Sequence, residues 1–299
     1  STLWKSSPTY SGFNNYSHNY ETNHSVMGTN IDWYRDSFEM GLSYLQSREK
    51  HTLPAWNFPD TVHVVHRILG GRVTYTGPNF ELFLEYADKQ SAGYNDLDFA
   101  RSGSGFYANI TSFLQDWTLS ADYIRYSFAH LAPDAFTRWD FINNYGLALD
   151  YQQPAISNLL HSTSLLGRIS HQFDFNNNLG YQLDLTGPGI FGTTLFLHYA
   201  TSSRTHIWES RPDYTWVKTN NDSWLPIKSA EGLSYQELYL ELNGYAFSDR
   251  LHYVISGANT KDVTDIFTNK YDEHNHLLEY KYQEALTIPP SFSYYLSNG

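Results

Sequence analysis

The sequence predicts an all-β protein, an antiparallel transmembrane β-barrel of about 12 to 14 strands. Three observations lead to this class. Apolar and polar residues alternate over many short segments, aromatic residues lie at the ends of the apolar faces, and short connections alternate with long ones. Helical periodicity is nearly absent.

The clearest hairpin lies around the turn sequence TGPG. Two runs, 179–185 and 191–199, flank it, and in each run most residues of one parity are apolar. A period of two places the two parities on opposite faces of a strand. Because Gly and Pro favour a tight turn, the segment predicts a β-hairpin with one apolar and one polar face.

The same alternation recurs along the chain. Further strands are predicted at 38–44, 80–86, 117–123, 145–151, 165–175, 238–242 and 251–255, with weaker ones at 68–75, 106–114, 277–284 and 291–297. Six to eight residues rise about 20 to 26 Å, close to the apolar band of about 25 Å in an outer-membrane barrel. We expect a polar, aromatic N-terminal segment over 1–30 (a loop, a plug or a partial strand) and the barrel over 31–299.

Aromatic residues at the ends of the apolar faces predict girdles at the two membrane–water interfaces. The tyrosines assigned to this lipid-facing girdle are Tyr86, Tyr123, Tyr145, Tyr151, Tyr181 and Tyr199. Mostly aliphatic residues lie between the aromatic ends, as in 80–86. A soluble core gives no reason to place an aromatic residue at both ends of each strand.

The connections give a second test. Short ones are predicted at 76–79, 115–116, 186–190, 244–250 and 285–290, and long ones at 46–66, 88–104, 129–143, 201–233 and 258–276. Two connections, 152–163 and 176–178, break the rhythm. Outer-membrane barrels have short turns at one end and long loops at the other, so the pattern favours a membrane barrel.

The parity opposite the apolar residues carries the candidate lumen. Its assigned residues are Glu81, Glu85, Asp122, Asp150, Arg168, Asp174, Asp184, Glu237, Glu241 and Lys281. Acids outnumber bases, so a lumen lined by these side chains is acidic and favours cations. In a soluble protein the same face is a solvated sheet surface.

Composition excludes several classes. The net charge of -12, without a cluster of Lys and Arg, argues against a nucleic-acid partner. With no cysteine, a disulfide scaffold and a thiol nucleophile are excluded. No run approaches the roughly 20 apolar residues of a membrane helix. The start lacks the pattern of a secretory signal, so we expect a removed signal or a start within a longer protein.

Few motifs suggest chemistry. His63 and His66 in HVVH are predicted to be two ordinary histidines of a loop, because residues three apart in a strand point to opposite faces and would converge only on a helix. Asp96 and Asp98 lie in a Gly/Ser-rich loop that lacks the spacing of a calcium loop. No GxSxG motif is present. We therefore assign no catalytic residue, no metal ligand and no cofactor.

Three segments carry a resemblance. GGRVTYTGPNFELFLEYADK, LLGRISHQFDFNNNLGYQLDLTGPGIFGTTLFLHY and YQELYLELNGYAFSDRLHYVISG resemble uncharacterised porin-like outer-membrane barrels of Gram-negative bacteria, over roughly residues 68–285. The resemblance implies a bacterial outer-membrane location and contact with lipid, with small solutes or ions and other envelope proteins as further partners. Because the chain ends YYLSNG rather than on an aromatic closing strand, we expect a missing strand or a truncated chain.

Two functions from different classes follow. The first is a porin-like passive channel, or a structural barrel of the envelope. The second is a secreted, soluble β-rich module that binds glycans through exposed Tyr and Trp in loops such as 53–60 and 215–226. An enzyme is the least supported reading.

Overall fold

The computed structural model describes residues 2–5, 20–52, 61–94, 99–127, 177–210, 216–219, 223–267, 278–288 and 290–295. These ranges are almost entirely β-strand, with two 3₁₀ turns at Ile190–Gly192 and Ala230–Gly232. Among these residues there is no helix with the length and apolar character that a membrane span requires.

Fifteen strands lie in the described residues. Their bounds are β1 Thr2–Lys5, β2 Tyr20–Arg35, β3 Phe38–Thr52, β4 Thr61–Thr76, β5 Phe80–Tyr94, β6 Phe99–Leu114, β7 Trp117–Ser127, β8 Asn177–Pro188, β9 Thr194–Ser203, β10 Trp208–Ser210, β11 Trp216–Lys218, β12 Tyr235–Ala246, β13 Leu251–Phe267, β14 Leu278–Thr287 and β15 Pro290–Tyr294.

Thirteen of these strands form one sheet, and β10 and β11 form a separate two-stranded ribbon. The order in the large sheet is β1-β2-β3-β4-β5-β6-β7-β8-β9-β12-β13-β14, and every neighbouring pair is antiparallel. The predicted all-β antiparallel fold is confirmed. Within the described residues no pairing joins the first strand of the order to the last.

Strand β15 does not form a hairpin with β14. Both strands pair with β13, along Ala258–Phe267 and Leu251–Ile255, and both run in the same direction. The predicted turn at 285–290 is therefore wrong. The sequence there is IPP, and because proline cannot donate a ladder hydrogen bond, it interrupts the strand without reversing it. Strands β14 and β15 thus occupy a single position beside β13.

The other tight turns lie close to their predicted positions. Residues 115–116 join β6 to β7 and residues 77–79 join β4 to β5, as expected. Gln115 has a φ of 55°, the left-handed conformation that two-residue hairpins require. At TGPG the turn lies later than predicted, because Phe191 has a φ of 52° inside the 3₁₀ turn and β9 begins only at Thr194.

The strands extend well beyond the predicted segments toward the long connections. The connection predicted at 46–66 is shortened to 53–60, because β3 continues to Thr52 and β4 begins at Thr61. The strand predicted at 251–255 is the first part of β13, which continues to Phe267. The predicted segments at 145–151 and 165–175 lie outside the described residues. The first 30 residues contribute β1 and most of β2 to the sheet.

Register divides the sheet into two faces, since residues paired across strands share a face. Leu240 pairs with Leu197, Leu197 with Leu185, and Leu185 with Leu119. We call this side the apolar face. The other side contains the row Tyr239, His198 and Asp184, and we call it the polar face.

The apolar face is the exposed one. Ile31 is 67% exposed, Leu42 63%, Leu69 58% and Leu240 43%. Full burial of one such side chain is worth about 1.5 to 3 kcal/mol in water. A soluble sheet would therefore not leave an aliphatic band across many strands uncovered.

Candidate functional site

The polar face carries the predicted lumen residues that the structure describes. Its rows place Glu81, Glu85, Asp122, Asp184, Glu237, Glu241 and Lys281 on this one face. For example, Glu81 pairs with Thr111, and the row continues through Ser120 to Asp184. Asp150, Arg168 and Asp174 lie outside the described residues. The lumen assignment itself stays a prediction.

Four of the predicted girdle tyrosines are described by the structure, and they lie on the apolar face. Tyr123 pairs with Tyr181, and Tyr199 pairs with Leu183. Tyr86 pairs with Phe106, whose ring centroid is 5.8 Å from that of Tyr123. These side chains form a rim at one end of the aliphatic band. We call Tyr86, Phe106, Tyr123, Tyr181 and Tyr199 the aromatic rim. Tyr145 and Tyr151 lie outside the described residues.

An arginine cluster joins β2, β3 and β4 on the polar face. Arg72 forms an ion pair with Asp32, and its Nη1 donates to Asn30 Oδ1 at 3.1 Å and to Ser43 Oγ at 3.3 Å. Gly41 lies beneath the guanidinium: a Cβ at that position would be 2.6 Å from Arg72 Cζ. The glycine therefore provides the space in which Arg72 crosses β3 to reach β2.

A second polar cluster centres on Asp122 in β7. Tyr107 Oη donates to Asp122 Oδ1 at 2.6 Å, and Asn109 Nδ2 donates to the same oxygen at 2.8 Å. Asn109 also reaches Ser120 Oγ at 3.3 Å. Asp122 in β7 is thus held in place by two neutral donors on β6.

A histidine chain joins β8, β9 and β12. His198 Nδ1 lies 2.6 Å from Asp184 Oδ1, and its Nε2 lies 3.7 Å from Glu237 Oε1. The side chains of His198 and Glu237 are both 0% exposed, whereas that of Asp184 is 20% exposed. The imidazole of His198 thus lies between two carboxylates, one on β8 and one on β12.

Further hydrogen bonds hold the carboxylates of the histidine chain. Gln182 Nε2 donates to Asp184 Oδ2 at 2.6 Å, and Tyr235 Oη donates to Glu237 Oε2 at 2.6 Å. Tyr239 Oη donates to Glu241 Oε2 at 2.5 Å. Buried charges require partners of this kind. The polar face is therefore a hydrogen-bonded layer, most deeply buried around β9, β12 and β13.

Charge remains accessible farther along the sheet. Glu81 and Glu85 on β5 are exposed, and Lys281 on β14 is also exposed. The exposed charge of Glu81 and Glu85 on β5 is negative.

Sequence reasoning did not select His198, Tyr235 or Tyr239. A signal was present in YQELYLE (235–241), where Tyr and Glu alternate on one parity and Gln and Leu on the other. Tyr–Glu pairs at i and i+2 share a strand face, so their hydrogen bonding can be predicted from spacing. His198 has the parity of the polar face but no local motif.

The histidine pair HVVH lies in strand β4, so its predicted position in a loop is wrong. His66 is buried, with Nδ1 2.8 Å from Ser91 Oγ on β5, and His63 has the opposite parity. Among the residues that the structure describes, no group of three or more His, Asp or Glu is placed to hold a metal ion. Asp96 and Asp98 lie outside the described residues.

Comparisons with known proteins add little. No protein-family model matches the chain, and no curated protein matches it. Among solved structures, the chain is similar to a protein named "Copper transporter OprC", with 12% identity and a TM-score of 0.38. The match covers 94% of this chain and 45% of that protein. The chain thus spans less than half of the transporter's length, and copper transport is a property of that protein.

Proposed function

We propose that the protein is a bacterial outer-membrane β-barrel whose apolar face contacts lipid and whose polar face lines a lumen. One observation carries the proposal: the polarity of the sheet is inverted relative to a soluble protein. In β12, Leu238 and Leu240 are 48% and 43% exposed, whereas Glu237 is 0% exposed. Water would favour the opposite arrangement, and lipid favours this one.

The topology supports the same proposal. Strands that are neighbours in the chain pair antiparallel across most of the sheet, and tight turns lie at one end of the hairpins. This is the architecture of an up-and-down barrel. In a bilayer an open sheet edge would leave backbone groups without hydrogen bonds, so the proposal requires the sheet to close.

Within this class, a porin-like passive channel with an acidic lumen is the activity we propose. Glu81 and Glu85 present exposed carboxylates on the polar face, and rings of carboxylates attract cations. A barrel that supports the envelope without conducting ions is the second form of the same proposal.

Cell fractionation and gel mobility test the barrel. The protein should co-sediment with outer membranes, and an unboiled sample should migrate differently from a boiled one, because a closed hydrogen-bond ladder resists detergent. A matched sample unfolded in urea before loading should migrate like the boiled one. A monodisperse, stable protein in buffer without detergent would overturn the proposal and favour the soluble glycan-binding module.

Ion selectivity tests the channel. In planar bilayers with a salt gradient, Glu85→Gln should lower the preference for cations, because it removes one exposed charge from the polar face. The matched control is Glu284→Gln, which removes the same charge from the apolar-face side, where Glu284 Oε1 lies 3.3 Å from Lys261 Nζ. Equal shifts in reversal potential for the two variants, or a preference for anions in the wild type, would contradict the acidic lumen.

A further inference from the structure

A segment of the long connection between β9 and β12 lies on the side of the apolar face. We call residues 223–234 the strap. Its backbone is joined to the sheet end by hydrogen bonds from Ser223 N to Thr205 O at 3.0 Å and from Arg204 N to Gly232 O at 2.7 Å. Ile227 N also donates to Ser203 Oγ at 2.8 Å. Ser203 pairs with Leu179 and so has the parity of the apolar face.

The beginning of the strap is fixed on the aromatic rim. Tyr123 Oη donates to the carbonyl oxygen of Trp224 at 3.0 Å, and the Trp224 ring lies edge-on to Phe106, with centroids 6.3 Å apart. Arg125 donates from Nε to Ser223 O at 3.1 Å, and its guanidinium lies 4.5 Å from the centre of the Trp224 ring. The strap is thus held by three side chains of β6 and β7.

This contact covers a charge that would otherwise face outward. Arg125 shares its parity with Tyr123 and pairs with Phe106, yet it is only 4% exposed. A charged side chain on a lipid-facing strand is costly unless it is near the interface or screened by partners. The Trp224 ring and the Ser223 carbonyl provide that screening here.

Two large apolar side chains at this point remain uncovered. Trp224 is 58% exposed and Leu225 is 71% exposed, although both belong to a connection anchored by several hydrogen bonds. The Trp224 ring contacts Phe106, whose partner on β5 is the exposed Tyr86. Tryptophan beside an aliphatic residue, at the end of an apolar band, is typical of the membrane–water interface.

We infer that the strap is a membrane-contacting element, in which Trp224 and Leu225 enter the lipid headgroup region beside the aromatic rim. The inference rests on the proposed function, because it extends the lipid-facing surface from the strands to a connection. The strap lies at the end of the aliphatic band opposite the turn at 115–116, where the long connections are. The strap therefore binds the apolar face of the sheet, not the polar face.

Site-directed labelling can test the inference because the chain has no cysteine. Leu225→Cys is labelled with an environment-sensitive fluorophore, and the protein is reconstituted into phosphatidylcholine vesicles that contain shallow or deep nitroxide-bearing lipids. Leu240→Cys, in the middle of the band, reports deep lipid. Lys228→Cys, exposed on the same strap, reports water.

The expected result is shallow quenching at position 225, several-fold stronger than at position 228, with deep quenching at position 240. Quenching of the 225 label by aqueous iodide alone, with the 240 label still in lipid, would overturn the inference and leave the proposed function in place. Iodide quenching of the 240 label would overturn the lipid-facing face itself, and the inference with it.

Discussion

Leu183→Arg is expected to lower the free energy of unfolding in lipid or detergent by about 2 to 4 kcal/mol. Leu183 is 42% exposed on the apolar face and pairs with Ala121 and Tyr199. Because the side chain is exposed, an arginine has room at this position, and its cost measures the surrounding solvent rather than packing. Denaturant titration of the folded protein in lipid vesicles gives the value.

The neighbouring residue supplies the control for this prediction. Gln182 points to the polar face and donates to Asp184, so Gln182→Arg places a cation beside a carboxylate and should be nearly neutral. If Leu183→Arg also changed the stability by no more than about 0.5 kcal/mol, as surface substitutions in water do, the apolar face would be in water. The barrel proposal would then be wrong.

His198→Phe is expected to destabilise the protein by about 3 to 5 kcal/mol, because it leaves buried carboxylates without their imidazole partner. The imidazole lies between Asp184 and Glu237, and Glu237 is fully buried. Phenylalanine fills similar space, and Phe196 and Tyr239 already provide aromatic neighbours. The loss therefore reports the two carboxylates that remain, without a large cavity contribution. Unfolding titrations at neutral pH measure it.

A second substitution separates charge from packing at this site. Adding Glu237→Gln to His198→Phe removes one of the carboxylates, so the double variant should be more stable than the sum of the two single effects indicates. Tyr239→Phe removes the hydroxyl that donates to Glu241 and should cost about 1.5 to 3 kcal/mol. If the changes in the free energy of unfolding caused by His198→Phe and Glu237→Gln were simply additive, this would contradict an electrostatic role for the histidine chain.

Much of the sheet could be predicted from parity alone. A period of two assigns each residue of a strand to a face, and this period was sufficient to place Tyr86 and Tyr123 with the apolar residues and Glu85 and Asp122 with the polar ones. The strand ends could not be found in this way. Beyond the apolar band both faces of β3 and β5 are polar, so the alternation ends while the ladder hydrogen bonds continue.

The strap and the histidine chain could not be predicted, for a different reason. Arg125 and Ser223 are 98 positions apart in the sequence, and Tyr123 and Trp224 are 101 positions apart. Contacts of this kind depend on where a long connection folds back, and neither periodicity nor turn residues record that. His198 likewise gains its role only from strands β8 and β12, which register places on either side of it.

The space that Gly41 leaves for Arg72 bears on how the strands find their correct alignment during assembly. A shift of β4 by one residue would turn Arg72 toward the apolar face and separate it from Asp32, because side chains alternate between faces. A shift by two residues keeps Arg72 on its face but moves it along β3, away from the glycine above which it now lies and toward positions that carry side chains. The apolar residues of β2, β3 and β4 alone would allow several registers of these strands. Arg72 and Gly41 together disfavour the shifted registers.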